Sequence, residues 1–122
     1  AYPGRGLWAL PGGFIEQNER IQDACVRELI EETRIELSKA QLYGSISDRE
    51  VFDHPGRSLR GRTITHAYTF RLKDTVGLPR VKPQAGEVRK VMWIPIAVAK
   101  RNSEKWYEDH LHIVETMLGR VK

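Results

Sequence analysis

Gly13-Phe14-Ile15-Glu16-Gln17-Asn18-Glu19 runs into Arg20-Ile21-Gln22-Asp23-Ala24-Cys25-Val26-Arg27-Glu28-Leu29-Ile30-Glu31-Glu32-Thr33-Arg34-Ile35, and this stretch decides the reading of the chain. Pro11-Gly12-Gly13 before it is strong turn punctuation. The segment from about Arg20 to Thr33 is predicted to be a helix. Asp23 falls in its first turn, where negative charge suits the macrodipole, and Ile21, Cys25 and Leu29 form an apolar stripe. Asn18 suits a turn ahead of it. Glu28, Glu31 and Glu32 stand at i, i+3 and i+4, on one helix face with Cβ atoms about 5–6 Å apart. Like charges so close repel, unless a hard divalent cation sits among them. Mg²⁺ takes oxygen ligands and commonly shares its shell with substrate phosphates. A lone Glu-x-x-Glu-Glu would read as a solvated acidic face; the glycine turn and Arg27 at its offset argue for more. Arg27 and Glu31 form an i,i+4 pair, worth under about 1 kcal/mol as a plain surface contact.

The pattern Gly13-x5-Glu19-x7-Arg27-Glu28-Leu29-x-Glu31-Glu32-x-Arg34-Ile35 resembles the Nudix box, the signature of hydrolases that cleave nucleoside diphosphates linked to another group. One fixed position departs: the box has Gly where this chain has Arg34. A left-handed residue is often wanted just past a helix, and Arg there costs on the order of 1 kcal/mol when φ is positive. A second stretch, Val51-Phe52-Asp53-His54-Pro55-Gly56-Arg57-Ser58-Leu59-Arg60-Gly61-Arg62-Thr63-Ile64-Thr65-His66-Ala67-Tyr68, is similar to the segment after the box in ADP-ribose pyrophosphatases. It is most similar to the Nudix half of bifunctional nicotinamide mononucleotide adenylyltransferase/Nudix proteins, as is Trp106-Tyr107-Glu108-Asp109-His110. In that subgroup Arg at the box glycine is familiar.

The resemblance implies an α/β fold, the Nudix α/β/α sandwich with a mixed sheet. It implies that Glu28, Glu31 and Glu32 hold Mg²⁺, with Mn²⁺ as substitute, and that the Gly12 carbonyl joins them. Gly13, Glu19 and Arg27 support the site, Glu19 bracing the loop and Arg27 orienting the acidic cluster; Glu16 is a weaker ligand candidate. Glu87, after the long loop, is the expected general base. Arg57, Arg60 and Arg62 are expected at the diphosphate or terminal ribose phosphate, because guanidinium forks match phosphate oxygens. Asp53 is the alternative partner for one of them. Phe14, Tyr43 and Phe52 are the aromatics able to stack a base, Phe14 being the one carried forward. The implied reaction is hydrolysis of ADP-ribose to AMP and ribose 5-phosphate in NAD-related metabolism. Two alternatives compete: an ADP-ribose-sensing domain of a transcription regulator that binds without cutting, and a pyrophosphatase for another nucleoside diphosphate such as NADH. A homodimer and an adenylyltransferase domain fused N-terminal to this chain are both open under the resemblance.

Composition sets outer bounds. The 122 residues suit a single domain over 1–122, and 40% hydrophobic with 30% charged residues is ordinary for a globular protein. In relatives of this fold one or two strands precede the box, so the chain is expected to be a C-terminal fragment lacking its first strand or strands. No apolar run approaches the roughly 20 residues of a membrane span, no signal peptide is visible, and the single Cys25 fits a reducing cytoplasm. Cys25 reads as a packing residue. A net charge of +4 suits a small anionic substrate; neither a long basic block nor a zinc-finger spacing points to nucleic acid. His66 reads as structural, and His54, His110 and His112 show no metal-ligand spacing.

The remaining elements follow from periodicity. Leu42 to Phe52 is predicted as one strand and Arg62 to Leu72 as another, with Ile64, His66, Tyr68, Phe70 and Leu72 on one face. Lys73 to Gly86 reads as a long polar loop and Val88 to Ile94 as a third strand. A final helix is predicted from a Ser103 cap, with Trp106, Tyr107, His110, Leu111, Val114, Met117, Leu118 and Val121 on its apolar face.

Overall fold

A computed structural model describes residues 6–58, 61–73, 77–84 and 90–120. Along the chain stand α1 (Ile21–Thr33), α2 (Lys39–Ser45), β1 (Ile46–Phe52), β2 (Thr65–Phe70), α3 (Ile96–Arg101), a 3₁₀ turn (Ser103–Lys105) and α4 (His110–Leu118). Among the described residues β1 and β2 pair as a two-stranded sheet. The chain divides into two compact units, one built from Pro11–Ser47 with Phe70–Trp93, the other from Pro3–Leu10, Asp48–Thr69 and Ile94–Lys122.

The first unit is organised around α1. The helix starts without a side-chain cap at Arg20, with Asp23 in its first turn. It ends at Arg34, which takes φ 47° and ψ 37° and donates its N–H to the Ile30 carbonyl at 2.8 Å. The box glycine position is therefore left-handed here, and Arg34 bears the conformational cost that glycine avoids. The inward face is set differently from the expected Ile21/Cys25/Leu29 stripe. Ala24, Val26 and Thr33 are the buried residues; Cys25 and Leu29 are half-buried. Thr33 satisfies its hydroxyl on the Leu29 carbonyl at 2.6 Å. Val26, Ile35 and Leu42 form the core, with Leu29, Ile30, Leu37, Tyr43, Phe70 and Val81 packed around them. Full burial of side chains of this size contributes about 1.5–3 kcal/mol each.

The predicted strand from Leu42 begins only at Ile46. Residues 39–45 are helical because Ser38 and Gln41 close a capping box: Gln41 N–H donates to Ser38 Oγ at 3.1 Å, and Ser38 N–H to Gln41 Oε1 at 2.8 Å. Reciprocal capping satisfies two amides that would otherwise lack partners, and the short helix then drops Leu42 into the core with no exposed surface. Tyr43 Oη donates to Asp23, tying α2 to α1. The chain 33–36 runs beside 80–82 through Lys82 N–H to Thr33 O at 2.8 Å and Glu36 N–H to Arg80 O at 3.0 Å. Among the described residues the predicted third strand is not found: residues 90–94 have no strand pairing, and Val88 and Arg89 lie outside the described residues. Trp93 spends its indole N–H on the Pro79 carbonyl, 2.9 Å.

In the second unit β1 alternates half-buried and exposed positions as a strand should. β2 is shorter than predicted, Thr65–Phe70 in place of Arg62 to Leu72; Ile64 ahead of it is 59% exposed, and His66 within it faces solvent. The single final helix is replaced by a 3₁₀ turn, an irregular segment and α4. Two observations explain the break. Trp8 takes the backbone of this segment as a parallel bridge partner, with Trp8 N–H to Lys105 O at 2.6 Å and Tyr107 N–H to Trp8 O at 2.8 Å. Glu108 then turns left-handed at φ 44°. The Trp8 and Trp106 rings meet edge to face, 5.6 Å between centroids. From α4, Ile113 and Met117 are buried, and beyond it Arg120 pairs with Glu50 and Asp48 on β1.

Candidate functional site

The glycine turn and the exposed face of α1 bring the box residues together. At Gly13 a Cβ would lie 2.7 Å from Cδ of Glu28 and 2.8 Å from each carboxylate oxygen, so only glycine leaves room for that carboxylate. Gly12 uses its N–H, donating to Glu32 Oε2 at 3.2 Å. The loop between turn and helix is braced by Glu19: Glu16 N–H donates to Glu19 Oε1 at 3.0 Å, and Glu19 N–H to the Glu16 carbonyl at 3.1 Å.

Arg27 is the hub. Its Nε and Nη2 grip both oxygens of Glu19, at 2.7 and 3.0 Å, and Nη2 also donates to the Phe14 carbonyl at 3.3 Å. Nη1 donates to Glu28 Oε1 at 2.7 Å and Glu31 Oε2 at 3.3 Å, and stands 3.8 Å from Glu16 Oε1. The Arg27 guanidinium, and next the Glu16 amide, hold the Glu19 carboxyl below its usual range. Glu19 in turn pushes Arg27 further up. Stability that Glu19 contributes is complete above its unfolded value of 4.5 and is lost as pH falls through the lowered folded value. Thermal melts between pH 5 and pH 2 are therefore expected to show a steeper acid loss for the wild type than for Glu19→Gln.

The donor set suits a hard divalent ion: carboxylate oxygens on one helix face, beside a turn whose backbone is open. Among the described residues, though, no three acidic, His or Cys side chains already converge as an ion would need. Glu28 and Glu31 lie on Arg27, and Glu32 on the Gly12 amide. Phe14 is 81% exposed on the pinned loop. Cys25 has its thiol pushed up to about 11 by burial, so it is a protonated packing group at neutral pH. Substituting Gly13 by Ala forces the Glu28 carboxylate aside. That change is expected to lower turnover about 10–100-fold with little shift in melting temperature, checked by steady-state kinetics beside a thermal melt.

The second unit carries the segment after the box. Val51, Phe52, Asp53, His54, Arg57, Asp109 and His112 line an open depression of about 200 Å³. The Arg57 side chain is only 7% exposed. Its Nε and Nη2 form a fork on Asp109 at 2.8 and 3.0 Å, and Nη1 donates to Thr63 Oγ1 at 3.0 Å. Among the described residues the carboxylate that pairs with Arg57 is Asp109, 52 residues away, and not Asp53. Ser58 Oγ donates to Glu108 at 2.8 Å, so neighbouring residues of the loop are clasped by neighbouring acids. Sequence reasoning missed Asp109, Glu108 and Thr63 in this role; only the likeness of Trp106–His110 to the subgroup marked that region. Arg62 is exposed, while Arg60 and Glu87 lie outside the described residues. No helix among the described residues is long and apolar enough to cross a membrane.

Comparison with known proteins adds a family. Residues 1–117 match the NUDIX domain. An ADP-ribose pyrophosphatase of Methanocaldococcus jannaschii is 36% identical over 75 residues, covering 62% of this chain and 39% of that protein. A crystal structure of a bifunctional NMN adenylyltransferase/ADP ribose pyrophosphatase from Francisella tularensis superposes with a TM-score of 0.92 at 40% identity. It covers 98% of this chain and 35% of its own. A crystal structure under the same name from the same organism, complexed with AMP and a Mn ion, gives 0.91 at 41% identity with the same coverage. The chain thus spans little more than a third of the length of these relatives. With its box glycine turn, its acidic helix and this match over nearly all its length, the chain belongs to the Nudix family, and its fold is the α/β fold of that family.

Proposed function

We propose that this domain hydrolyses the diphosphate of ADP-ribose, water adding and AMP and ribose 5-phosphate leaving, with a divalent ion held by Glu28, Glu31 and Glu32. The observation that carries the reading is the acidic face of α1 set against the glycine turn, with Gly13 leaving room for the Glu28 carboxylate. When bound, a divalent ion there neutralises the diphosphate and makes a water more acidic. Mg²⁺ is the proposed ion, with Mn²⁺ able to replace it. Phe14, exposed beside the turn, is assigned to the nucleobase, and Arg62 and Arg60 to phosphate. Arg57, already committed to Asp109 and Thr63, is assigned to shaping the 53–58 loop. Glu87 is the proposed general base. The setting is NAD-related metabolism in the cytoplasm, in keeping with the adenylyltransferase activity named for the Francisella proteins.

A panel of ADP-ribose, NADH and dinucleoside polyphosphates with Mg²⁺, scored for AMP release, tests this. ADP-ribose is expected to give the highest kcat/KM. Absence of AMP release from every member, together with ADP-ribose-dependent retention of a DNA fragment, would replace the enzyme by the sensor.

A further inference from the structure

Among the described residues, the hydrogen bonds that tie residues 8–10 to residues 105–110 differ in kind. Two join backbone to backbone: Trp8 N–H to the Lys105 carbonyl at 2.6 Å, and Tyr107 N–H to the Trp8 carbonyl at 2.8 Å. The third ends on a side chain. Leu10 N–H donates to Nδ1 of His110 at 2.9 Å, in a half-buried contact across 100 residues of chain. An amide N–H can only donate, and a ring nitrogen accepts only when it carries no proton. The bond therefore belongs to the neutral imidazole with its proton on Nε2. When the ring takes up a second proton, both nitrogens become donors, and Nδ1–H faces Leu10 N–H with no acceptor between them. The carbonyls that hold Trp8 and Tyr107 do not titrate. The proton-sensitive tie is the one on His110, in the range where imidazoles change charge, near about pH 6.5. Tyr107 packs edge to face on the ring, 5.4 Å between centroids. The neighbouring charged groups are engaged: Asp109 with Arg57, Glu108 with Ser58, and the Lys105 ammonium over the Trp8 ring at 5.4 Å. The His112 ring lies against Phe52, and residues 8–10 carry no ionisable side chain.

We infer that His110 is a proton-operated latch: its neutral ring holds the Leu10 amide to the start of α4, and protonation releases Leu10 while the Trp8 ties stay closed. Leu10 is the last residue of its stretch of the second unit, and the chain runs on directly into Pro11-Gly12-Gly13. The latch thus sets how firmly the chain is held one residue before the glycine turn. It is independent of the ion site and of the substrate.

The test is amide hydrogen exchange, followed by nitrogen-15 NMR on the whole chain from about pH 8 to about pH 5, across the imidazole range. Each rate is taken relative to an unstructured peptide at the same pH. In the wild type, protection of Leu10 N–H is expected to fall about tenfold as the His110 ring titrates, the equivalent of about one hydrogen bond. Trp8 N–H and Tyr107 N–H are expected to keep their protection. His110→Asn places a carbonyl oxygen that does not titrate near the position of Nδ1, and is expected to protect Leu10 equally at both ends of the range. His110→Ala is expected to show the low protection at every pH; should it not fold, the wild type and His110→Asn decide between them. Loss of protection at all three amides together is acid unfolding and overturns the inference. So does Leu10 protection that ignores the ring's titration, or the same pH course in His110→Asn as in the wild type. Ring nitrogen shifts that put the proton on Nδ1 at the alkaline end overturn it as well.

Discussion

Glu28→Gln, Glu31→Gln and Glu32→Gln should each slow AMP release by at least a hundredfold, with the fold retained. The substitution keeps shape and removes charge, so what is lost is the ability to neutralise a cation and, through it, the diphosphate. Losing one preorganised electrostatic partner of a reacting group typically costs 10²–10³ in turnover, and a ligand to the ion itself belongs at the upper end. Stability should move little. Glu31 is 45% exposed, and its contact with Arg27 at 3.3 Å is a surface pair, worth about 0.3–0.5 kcal/mol. Glu28 is more enclosed, but a Gln amide oxygen still accepts from Nη1. The measurement is kcat with Mg²⁺ for each variant beside its melting temperature. Full turnover in any of the three variants removes that residue from the ion site. A rate loss matched by a large melting shift assigns the residue to the fold.

The acidic helix could be read from sequence because its signals are local. A glycine turn, a 3.6-residue period and carboxylates at i, i+3 and i+4 all fall within two dozen residues, and the observed helix begins one residue from the expected start. Even the departure at Arg34 was legible, since a left-handed exit is a property of the backbone at that point. The second helix was missed although its signal was equally local. Ser38-x-x-Gln41 is a capping box, and the helix it opens runs to Ser45, so only the Ile46–Phe52 part of the expected strand is strand. The broken final helix had no local signal. Its interruption depends on Trp8, about a hundred residues earlier, whose backbone pairs with Lys105 and Tyr107. The inward face of α1 was misjudged for a related reason. Val26 rather than Cys25 is the deepest residue, because Ile35 and Leu42 come to meet it, and no helical period foretells which side a later segment covers. Among the site residues, Arg57 shows the same limit. The partner that fixes its guanidinium, Asp109, lies 52 residues away.

Arg57→Ala is expected to be a strongly destabilising change in the second unit. The guanidinium is 7% exposed, forks on Asp109 through two hydrogen bonds and reaches Thr63 with a third group. Removing it leaves Asp109, itself 20% exposed, with a charge whose partner is gone. Breaking a buried ion pair from one side costs about 3–5 kcal/mol; the partial access of Asp109 to water brings the expectation to about 3 kcal/mol. For a domain of this size that corresponds to a fall of roughly 10 °C or more in melting temperature. A double-mutant cycle separates the pair from the packing. Asp109→Asn alone should cost less than Arg57→Ala, since its amide oxygen still accepts from the guanidinium. The double variant Arg57→Ala, Asp109→Asn should recover part of the loss, because no uncompensated carboxylate remains. Full additivity would mean that the Arg57 stem and Thr63 supply the stabilisation, with the charge fork contributing little. Recovery of more than about 1 kcal/mol would mark the fork as the tie that holds the 53–58 loop, and the depression above it, to the start of α4.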